Sequence, residues 1–421
     1  MSDGSLESAG KLHEPASQIA AVPRISVQAF CETQNVASTI EGASDDRRMA
    51  KAHVKVHMGG IPAAIEAFRS APTPNLIVIE TVGERTSLIE QLEALSEFCD
   101  PGTKVVVIGH ENDIALYRDL TSRGVSDYIV APVDVLGFIR HVSHLYNAPG
   151  AEAIGRVIAV VGAKGGVGAS TVAHNLAWSI SRTFEAQTVI ADLDMAFGTA
   201  GLDFNQDPPQ GIGEAVFSPE RLDTNMVDRL LSKCSETLSI LAAPATVERV
   251  YDMSEQTFDA LIDILRATAP CTILDVPHQW CAWTKRVLVA ADEVVVVANP
   301  DLANLRNAKS ILDSLRAARP NDRLPKLILN NVGVPRRPEI SVAEFAKAIE
   351  TEPVAMLPFE PKLFGTAANN GQMLAEVESG SKIVESFEDL GRALMGKQAI
   401  RKSKKTLLGP LLDRLARKKA S

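Results

Sequence analysis

The chain has 421 residues, of which 46% are hydrophobic and 23% are charged, and this length predicts two to three domains with a sizeable core. The formal net charge is −9, which argues against binding of nucleic acid by bulk charge. The five cysteines are scattered without metal spacing, the N-terminus has no apolar signal core, and no apolar run is long enough to span a membrane. These features predict a cytoplasmic protein with reduced thiols.

Residues 1–23 are small and polar, and we expect them to be disordered. From Arg24 to residue 147, short apolar runs alternate with amphipathic stretches. This alternation predicts a small doubly wound parallel sheet of five strands and five helices. The predicted strands are Ile25–Phe30, Val54–Val56, Leu76–Ile79, Val105–Ile108 and Tyr128–Val130.

Residues 148–155 have the composition of a linker, and a second α/β domain is predicted over residues 156–396. Its apolar runs are nearly continuous, which is typical of a parallel sheet covered on both faces. The fold class is therefore α/β, with two doubly wound parallel-sheet domains. The predicted strands of the second domain are Val157–Val161, Thr188–Ala191, Leu238–Leu241, Thr272–Leu274, Val294–Val297, Leu327–Leu329 and Val354–Met356.

A glycine-rich segment at residues 157–173 carries the clearest functional signal. It reads V-I-A-V-V-G-A-K-G-G-V-G-A-S-T-V-A, and an apolar strand, a glycine turn and a helix in this order are the layout of a phosphate-binding loop. The glycines allow backbone N–H groups to close around phosphate oxygens, and the helix adds its positive end. Ser170 lies where a hydroxyl would bind Mg²⁺. The lysine expected just before that hydroxyl is replaced by Ala169, and a second lysine, Lys164, lies at the head of the loop.

Three carboxylates follow predicted strands of the same domain. Asp192 and Asp194 come at the end of one strand, and Asp275 comes at the end of another. Carboxylates at the carboxyl ends of strands beside a phosphate loop hold Mg²⁺ or orient water. For each aspartate alone, a helix cap or a surface loop residue is the alternative. The lone histidines, including His174 and His278, have no metal spacing, and core or surface roles are expected for them.

These motifs resemble those of the MinD/ParA ATPases over roughly residues 155–396. Lys164 to Thr171 is similar to the deviant Walker A motif of that family, in which the early lysine is a signature. The segment Asp192-Leu-Asp194 is similar to its switch segment, and Leu274-Asp275-Val-Pro277 is similar to its Walker B motif. The resemblance implies ATP and Mg²⁺ as cofactors and an ATP-sandwich homodimer.

The resemblance also implies a role for each matching residue. Lys164 would reach the phosphates of the partner subunit, Asp194 would position the attacking water, and Ser170 would bind Mg²⁺ with Asp275 and Asp192 in the metal shell. Asn330, with the neighbourhoods of Pro358 and Asn370, would hold adenine. Because Ala169 removes a fixed charge, we expect ATP binding to survive better than turnover. The phosphate-binding residues would be Gly165, Gly166, Val167, Gly168, Ala169, Ser170 and Thr171, with Thr171 at the α-phosphate.

The first domain is similar in its β/α order to response-regulator receiver domains. At the positions that matter for phosphorylation it has Cys31-Glu32, Glu80-Thr81, Gly109-His110 and Ala131-Pro132. Glu80 replaces the aspartate nucleophile and Ala131 replaces the lysine. We therefore expect a docking or dimerisation module rather than a working phosphoreceiver.

A degenerate receiver fused to a MinD-like domain with a defective Walker A motif resembles the CpaE/TadZ proteins of Flp (Tad) pilus assembly. This resemblance implies weak ATP hydrolysis and a role in marking the cell site, often a pole, where the pilus machine is built. The implied partners are the secretion ATPase, the inner-membrane platform proteins and polar organising factors. Two alternatives stay open: an ATPase that positions DNA or the division site, and a scaffold that binds no nucleotide.

Residues 397–421 differ sharply in composition from the rest of the chain. They contain nine Lys or Arg residues, one acid and five leucines at helical spacing. This pattern is typical of a short helix on an anionic membrane, but Gly409 and Pro410 interrupt it. Peripheral contact with the inner membrane and a solvated or partner-binding tail are both open interpretations.

Overall fold

The computed structural model describes residues 19–83, 85–146 and 155–395. The predicted basic tail and most of the predicted linker lie outside these residues, as do residues 1–18 of the predicted disordered N-terminus. For residues 19–23 that prediction is wrong. Ile19 and Val22 are buried in the core of the first domain, and the backbone N–H of Val22 donates to the carbonyl of Arg48 over 2.8 Å. Ile19 and Val22 pack into the core of the first domain, which the polar composition of residues 1–23 does not indicate.

The first domain is a five-stranded sheet in the order β2-β1-β3-β4-β5, and every pairing in it is parallel. The central strand β3 is buried along its whole length. The strands are β1 (Ser26–Cys31), β2 (His53–Met58), β3 (Leu76–Thr81), β4 (Lys104–Gly109) and β5 (Asp127–Val130). The helices are α1 (Gln34–Ser44), α2 (Gly60–Phe68), α3 (Arg85–Ser96), α4 (Ile114–Ser122) and α5 (Val135–Tyr146).

The second domain is an eight-stranded sheet in the order β13-β12-β11-β6-β10-β7-β9-β8. All seven predicted strands are present and run parallel to one another. A short edge strand, β8, pairs antiparallel with β9 and was not predicted. The strands are β6 (Arg156–Gly162), β7 (Thr188–Asp192), β8 (Ser232–Lys233), β9 (Leu238–Leu241), β10 (Cys271–Val276), β11 (Glu293–Ala298), β12 (Lys326–Val332) and β13 (Ala355–Pro358).

Helices cover both faces of this sheet, which explains why its strands are apolar throughout. In β6, Val157, Ala159 and Val161 pack on one face, whereas Ile158 and Val160 pack on the other. The prediction of two parallel-sheet α/β domains is confirmed. The helices are α6 (Ala169–Phe184), α7 (Ala200–Asp203), α8 (Ile212–Phe217), α9 (Thr224–Leu230), α10 (Asp259–Thr268), α11 (Ala282–Ala290), α12 (Leu302–Ala318), α13 (Val342–Ile349), α14 (Pro361–Asn370), α15 (Leu374–Val377) and α16 (Lys382–Leu394).

A buried group of charged side chains joins the two domains. Arg47, from a short 3₁₀ helix after α1, donates through Nε to Asp322 Oδ2 at 2.7 Å and through Nη1 to Asp292 Oδ1 at 3.2 Å. Arg48 also pairs with Asp322, and Arg319 donates to Asp322 over 2.8 Å. We call these five residues the interdomain charge cluster. Burial alone raises the pKa of Asp322, but Arg47 and Arg319 outweigh it and lower that pKa to about 2.

None of the helices within the described residues is long and apolar enough to cross a membrane.

Candidate nucleotide site

The glycine-rich loop connects β6 to α6 and takes a backbone shape that requires glycine. Gly166 and Gly168 have φ values of +76° and +84°, a region that residues with a Cβ rarely adopt. At Gly168 a Cβ would also lie 2.6 Å from Nδ2 of Asn330. Gly168 is the residue before the first turn of α6. The end of the loop therefore coincides with the positive end of that helix.

Three side chains bind the carbonyl oxygens of this loop. His278 Nδ1 lies 2.9 Å from the carbonyl of Gly162, and Asn307 Nδ2 donates to the carbonyl of Ala163 over 2.9 Å. Asn330 Nδ2 donates to the carbonyl of Val167 over 2.7 Å. The loop is therefore held in place by groups from β12, from α12 and from the segment after β10.

The N–H groups of the same loop remain available. Those of Gly165, Gly166 and Gly168 donate to no acceptor within the part of the chain that the structure describes. Successive free N–H groups beside a helix N-terminus form an anion-binding concavity. The geometry therefore fits a phosphate-bearing ligand.

The two acidic strands bring Asp192 and Asp275 together. The two aspartates are partners in the parallel register of β7 and β10 and are 0% and 2% exposed. Asp192 accepts hydrogen bonds from the backbone N–H groups of Asp194 and Ala200, both at 3.1 Å. Burial and the neighbouring charge of Asp275 raise the pKa of Asp192 to about 7. Oxygen ligands of this kind suit Mg²⁺, whose positive charge would offset the repulsion between the two carboxylates.

His174 lies beside Asp192 and Asp275, although the sequence predicts no site role for it. His174 is fully buried, with Nδ1 2.7 Å from Asp203 and Nε2 3.5 Å from Asp275. Burial lowers the pKa of His174, but the hydrogen bond to Asp203 and the nearby negative charges of Asp275 and Asp203 outweigh burial and raise that pKa to about 10. His174, Asp192 and Asp275 offer three ligand atoms within 4.8 Å of one another. In the protonated form, His174 donates from Nδ1 to Asp203 and places a positive charge beside Asp275.

The spacing between His174 and Ser170 is the feature of the sequence that indicates a site position for His174. It lies four residues after Ser170 on α6, so the two side chains share one face of the helix. That face packs against β10, the strand that carries Asp275.

The remaining predicted site residues lie in the first turn of α6, at the head of the loop and just after β7. Ala169 is the first residue of α6, and Ser170 and Thr171 follow it in the first turn. Lys164 is exposed at the head of the loop and has no ion pair among the described residues. Asp194 lies just beyond β7, where its Oδ1 accepts the N–H of Phe197 over 3.0 Å.

The three residues expected near adenine are not all brought together. Asn330 and Pro358 lie at the ends of the neighbouring strands β12 and β13. Asn370 lies at the far end of α14, which begins at Pro361, roughly 14 Å along the helix at 1.5 Å per residue. There its side chain donates to Gln372 Oε1 over 3.1 Å. Asn330 and Pro358 therefore lie on paired strands, whereas Asn370 lies at the opposite end of α14 from Pro361.

In the first domain, Glu80 has a structural role. Its Oε2 accepts the N–H groups of Glu32 and Thr33, both at 2.8 Å, and its Oε1 accepts the Thr33 hydroxyl at 2.6 Å and faces His110 Nε2 at 3.0 Å. Burial raises the pKa of Glu80, but these hydrogen bonds outweigh it and lower the pKa. Thr33 is the N-cap of α1, so Glu80 fixes the start of that helix.

Comparison with known proteins is consistent with this geometry. The AAA domain family matches residues 155–324. The septum site-determining protein MinD of Synechocystis is 26% identical over 251 residues, which is 57% of this chain and 90% of that protein. The crystal structure of a ParA family ATPase from Chlorobium tepidum is 25% identical, with a TM-score of 0.52, and the match covers 56% of this chain and 97% of that one.

A further match is to the pilus assembly protein CpaE from Caulobacter crescentus. It is 46% identical, and the match covers 30% of this chain and 97% of that one, with a TM-score of 0.30. The chain belongs to the CpaE-type MinD/ParA-like ATPases.

Proposed function

We propose that this protein binds Mg-ATP in the loop at residues 162–171 and supports assembly of a Flp (Tad) pilus at a defined cell site. The observation that carries ATP binding is the loop itself, in which carbonyls are held by side chains and the glycine N–H groups are free. The observation that supports the pilus role is the 46% identity to CpaE of Caulobacter crescentus.

Within this proposal each residue has a defined task. The N–H groups of Gly165, Gly166 and Gly168 bind phosphate oxygens, Thr171 lies at the α-phosphate, and Ser170 binds Mg²⁺. The metal supplies charge that offsets the phosphate oxygens.

The acidic strands supply the rest of the metal shell and the water site. Asp192 and Asp275 complete the shell, and Asp194 orients water. Among the described residues, His174 balances the negative charge of Asp275 from inside the protein.

We further propose slow hydrolysis, because Ala169 has no charge for the β- and γ-phosphates. Lys164, which is exposed at the head of the loop, reaches the phosphates of a second copy in a nucleotide-bound dimer. Adenine lies near Asn330 and Pro358.

The cellular part of the proposal names partners and a location. The partners are the secretion ATPase, the inner-membrane platform proteins of the pilus machine and polar organising factors. The protein works at the cytoplasmic face of the inner membrane, often at a pole, and the basic tail at 397–421 contributes to membrane contact.

ATP binding is tested by thermal unfolding of the full chain with and without Mg-ATP. A ligand that binds only the folded state at a hundred times its Kd stabilises it by about 2.7 kcal/mol. In Gly168→Ala the new Cβ meets Asn330 at 2.6 Å, so the shift with ATP is expected to vanish. Gly42→Ala in α1, where the nearest atom is 3.4 Å away, is the matched control and keeps the shift. Absence of any shift in the wild type at millimolar ATP contradicts the proposal.

The pilus role is tested by deleting the gene and restoring it with the wild type or with Gly168→Ala. Surface pilin and a fluorescent fusion are recorded in the same cells. We expect loss of pili on deletion and rescue only by the wild type. Normal pili in the deletion strain, with a defect in DNA segregation or septum placement instead, would favour the alternative of a DNA- or division-positioning ATPase.

A further inference from the structure

His278 lies beside the glycine-rich loop and has one of its two ring nitrogens engaged. It follows the end of β10 by two positions and comes three positions after Asp275. Its Nδ1 lies 2.9 Å from the carbonyl of Gly162. Because a carbonyl oxygen only accepts hydrogen bonds, Nδ1 carries the proton and donates. The other ring nitrogen, Nε2, therefore remains for a second partner.

This second nitrogen is free and the residue is open to solvent. Nε2 of His278 has no hydrogen-bond or ion-pair partner within the described residues. His278 is an exposed residue, so its ring is open to a ligand beside the loop. In the protonated ring both nitrogens donate hydrogen bonds. His278 can thus hold the loop through Nδ1 and donate to an oxygen of a ligand through Nε2.

The residue that His278 contacts adjoins the position where the loop lacks a lysine. A Cβ at Gly162 would lie 3.5 Å from the Cβ of Ala169 and 2.9 Å from the carbonyl of Lys164. Gly162 is thus packed against the first residue of α6. A protonated imidazole held at Gly162 brings a positive charge to the part of the loop where Ala169 supplies none.

The order of the strands indicates which end of the proposed nucleotide is near His278. β6, which leads into the loop, lies between β11 and β10. Asn330 and Pro358, the residues proposed near adenine, are at the ends of β12 and β13, on the β11 side. Asp275, proposed in the metal shell, and His278 are on the β10 side. Because Mg²⁺ bridges the β- and γ-phosphates in sites of this kind, the terminal phosphate belongs on the β10 side as well.

From these observations we propose that His278 binds the terminal phosphate of the nucleotide through Nε2 and makes the site prefer ATP to ADP. The inference rests on the proposed ATP site and adds to it a residue that distinguishes three phosphates from two. Nδ1 keeps its hydrogen bond to Gly162 while protonated Nε2 donates to a γ-phosphate oxygen. ADP has no γ-phosphate oxygen to accept this hydrogen bond, so its affinity does not depend on Nε2.

Two substitutions separate the roles of the two ring nitrogens. In His278→Asn the side-chain amide nitrogen replaces Nδ1 and still donates to Gly162, but nothing replaces Nε2. In His278→Gln the longer side chain places its amide nitrogen where Nε2 was, and the bond to Gly162 is lost. Asn307→Ala is the matched control. Asn307, on the β11 side of the loop, donates to the neighbouring carbonyl of Ala163 over 2.9 Å, so its removal loosens the loop without touching the terminal phosphate.

Titration calorimetry on the full chain measures the Kd of Mg-ADP and the Kd of a non-hydrolysable Mg-ATP analogue. The preference is the ratio of the first Kd to the second. We expect His278→Asn to lower this ratio about tenfold, the size expected for a hydrogen bond to a charged group, and to leave the Kd of Mg-ADP unchanged. His278→Gln and Asn307→Ala should each weaken both ligands by the same factor and so keep the wild-type ratio.

The outcomes distinguish failure of this inference from failure of the proposed ATP site. If the wild type binds neither ligand at millimolar concentration, the ATP site is refuted and the role of His278 with it. If the wild type binds both ligands and His278→Asn keeps the wild-type ratio, the role of His278 alone is overturned. It is also overturned if Asn307→Ala lowers the ratio as His278→Asn does, because any loosening of the loop would then account for the effect.

Discussion

Asp322 belongs to the interdomain charge cluster and forms ion pairs with residues of both domains. Its two carboxylate oxygens bind Arg47 and Arg48 from the first domain and Arg319 from the second. The side chains of Arg47, Arg319 and Asp322 are only 7%, 6% and 6% exposed. Removing one partner of a buried ion pair leaves an uncompensated charge and costs about 3–5 kcal/mol. We therefore expect Asp322→Ala to lower the free energy of unfolding by about that amount.

A second contact between the domains provides the matched control. Lys51 Nζ lies 2.6 Å from Asp263 Oδ2, but these side chains are 46% and 43% exposed. Exposed pairs of this kind contribute about 0–1 kcal/mol. Asp263→Ala should therefore change stability little, although it removes the same chemical group from the same interface.

The pH dependence gives an independent check. The folded-state pKa of Asp322 is about 2, below the ordinary value of 3.8. A lowered pKa means that its stabilisation is present above pH 4 and is lost as the pH falls towards 2. The difference corresponds to about 2 kcal/mol at 1.36 kcal/mol per pKa unit. The wild type should lose this amount across that range, and Asp322→Asn should not.

Chemical denaturation of the full chain, followed by tryptophan fluorescence and circular dichroism, measures these differences. All three tryptophans lie in the second domain, so fluorescence reports on that domain, whereas circular dichroism reports on both. In Asp322→Ala the two signals should separate. If Asp322→Ala and Asp263→Ala cost the same, or if the signals still coincide, the cluster does not hold the domains together.

Three further predictions concern chemistry. Ala169→Lys should raise ATP turnover, measured as phosphate release, by about two to three decades; an unchanged rate means that the missing charge does not limit hydrolysis. Lys164→Ala should bind ATP as the wild type does but stay monomeric with ATP in light scattering, and a normal dimer would contradict the assigned role of Lys164. Glu80 should accept no phosphoryl group from acetyl phosphate in intact-mass measurements, because its oxygens bind Glu32, Thr33 and His110; added phosphate on the first domain would contradict this.

Most strands of the two sheets could be predicted because parallel strands buried on two faces must be apolar along their length. The edge strand β2 differs, since four of its six residues are exposed and its valines alternate with polar residues. The seven predicted strands of the second domain follow from this local rule, whereas the glycine-rich loop between β6 and α6 is marked by the order of its own residues. The antiparallel edge strand β8 was missed because it has only two residues, Ser232 and Lys233, and neither is apolar. A strand that short has no periodicity to detect.

Contacts between distant residues were not predictable. Arg47 and Asp322 are separated by 275 positions, and no local pattern marks either as buried. The resemblance to the MinD/ParA ATPases predicts adenine near Asn330, but no local pattern predicts that its Nδ2 donates to the carbonyl of Val167. The sequence predicts no site role for His174, because its partners Asp203 and Asp275 come from other elements and no regular spacing along the chain marks them.

The interdomain charge cluster and the nucleotide loop lie at opposite ends of the same strand. Asp292, which binds Arg47, also accepts the N–H of Val157 near the start of β6 over 2.9 Å. β6 then runs for seven residues to the glycine-rich loop, roughly 20 Å at 3.3 Å per residue. The first domain therefore lies at the amino ends of the strands, away from the edge where the loop, Asp192 and Asp275 meet. A nucleotide-bound second copy at that edge would leave the exposed surface of the first domain free for other proteins. Any coupling between the nucleotide loop and the first domain would have to pass through the sheet of the second domain rather than through direct contact.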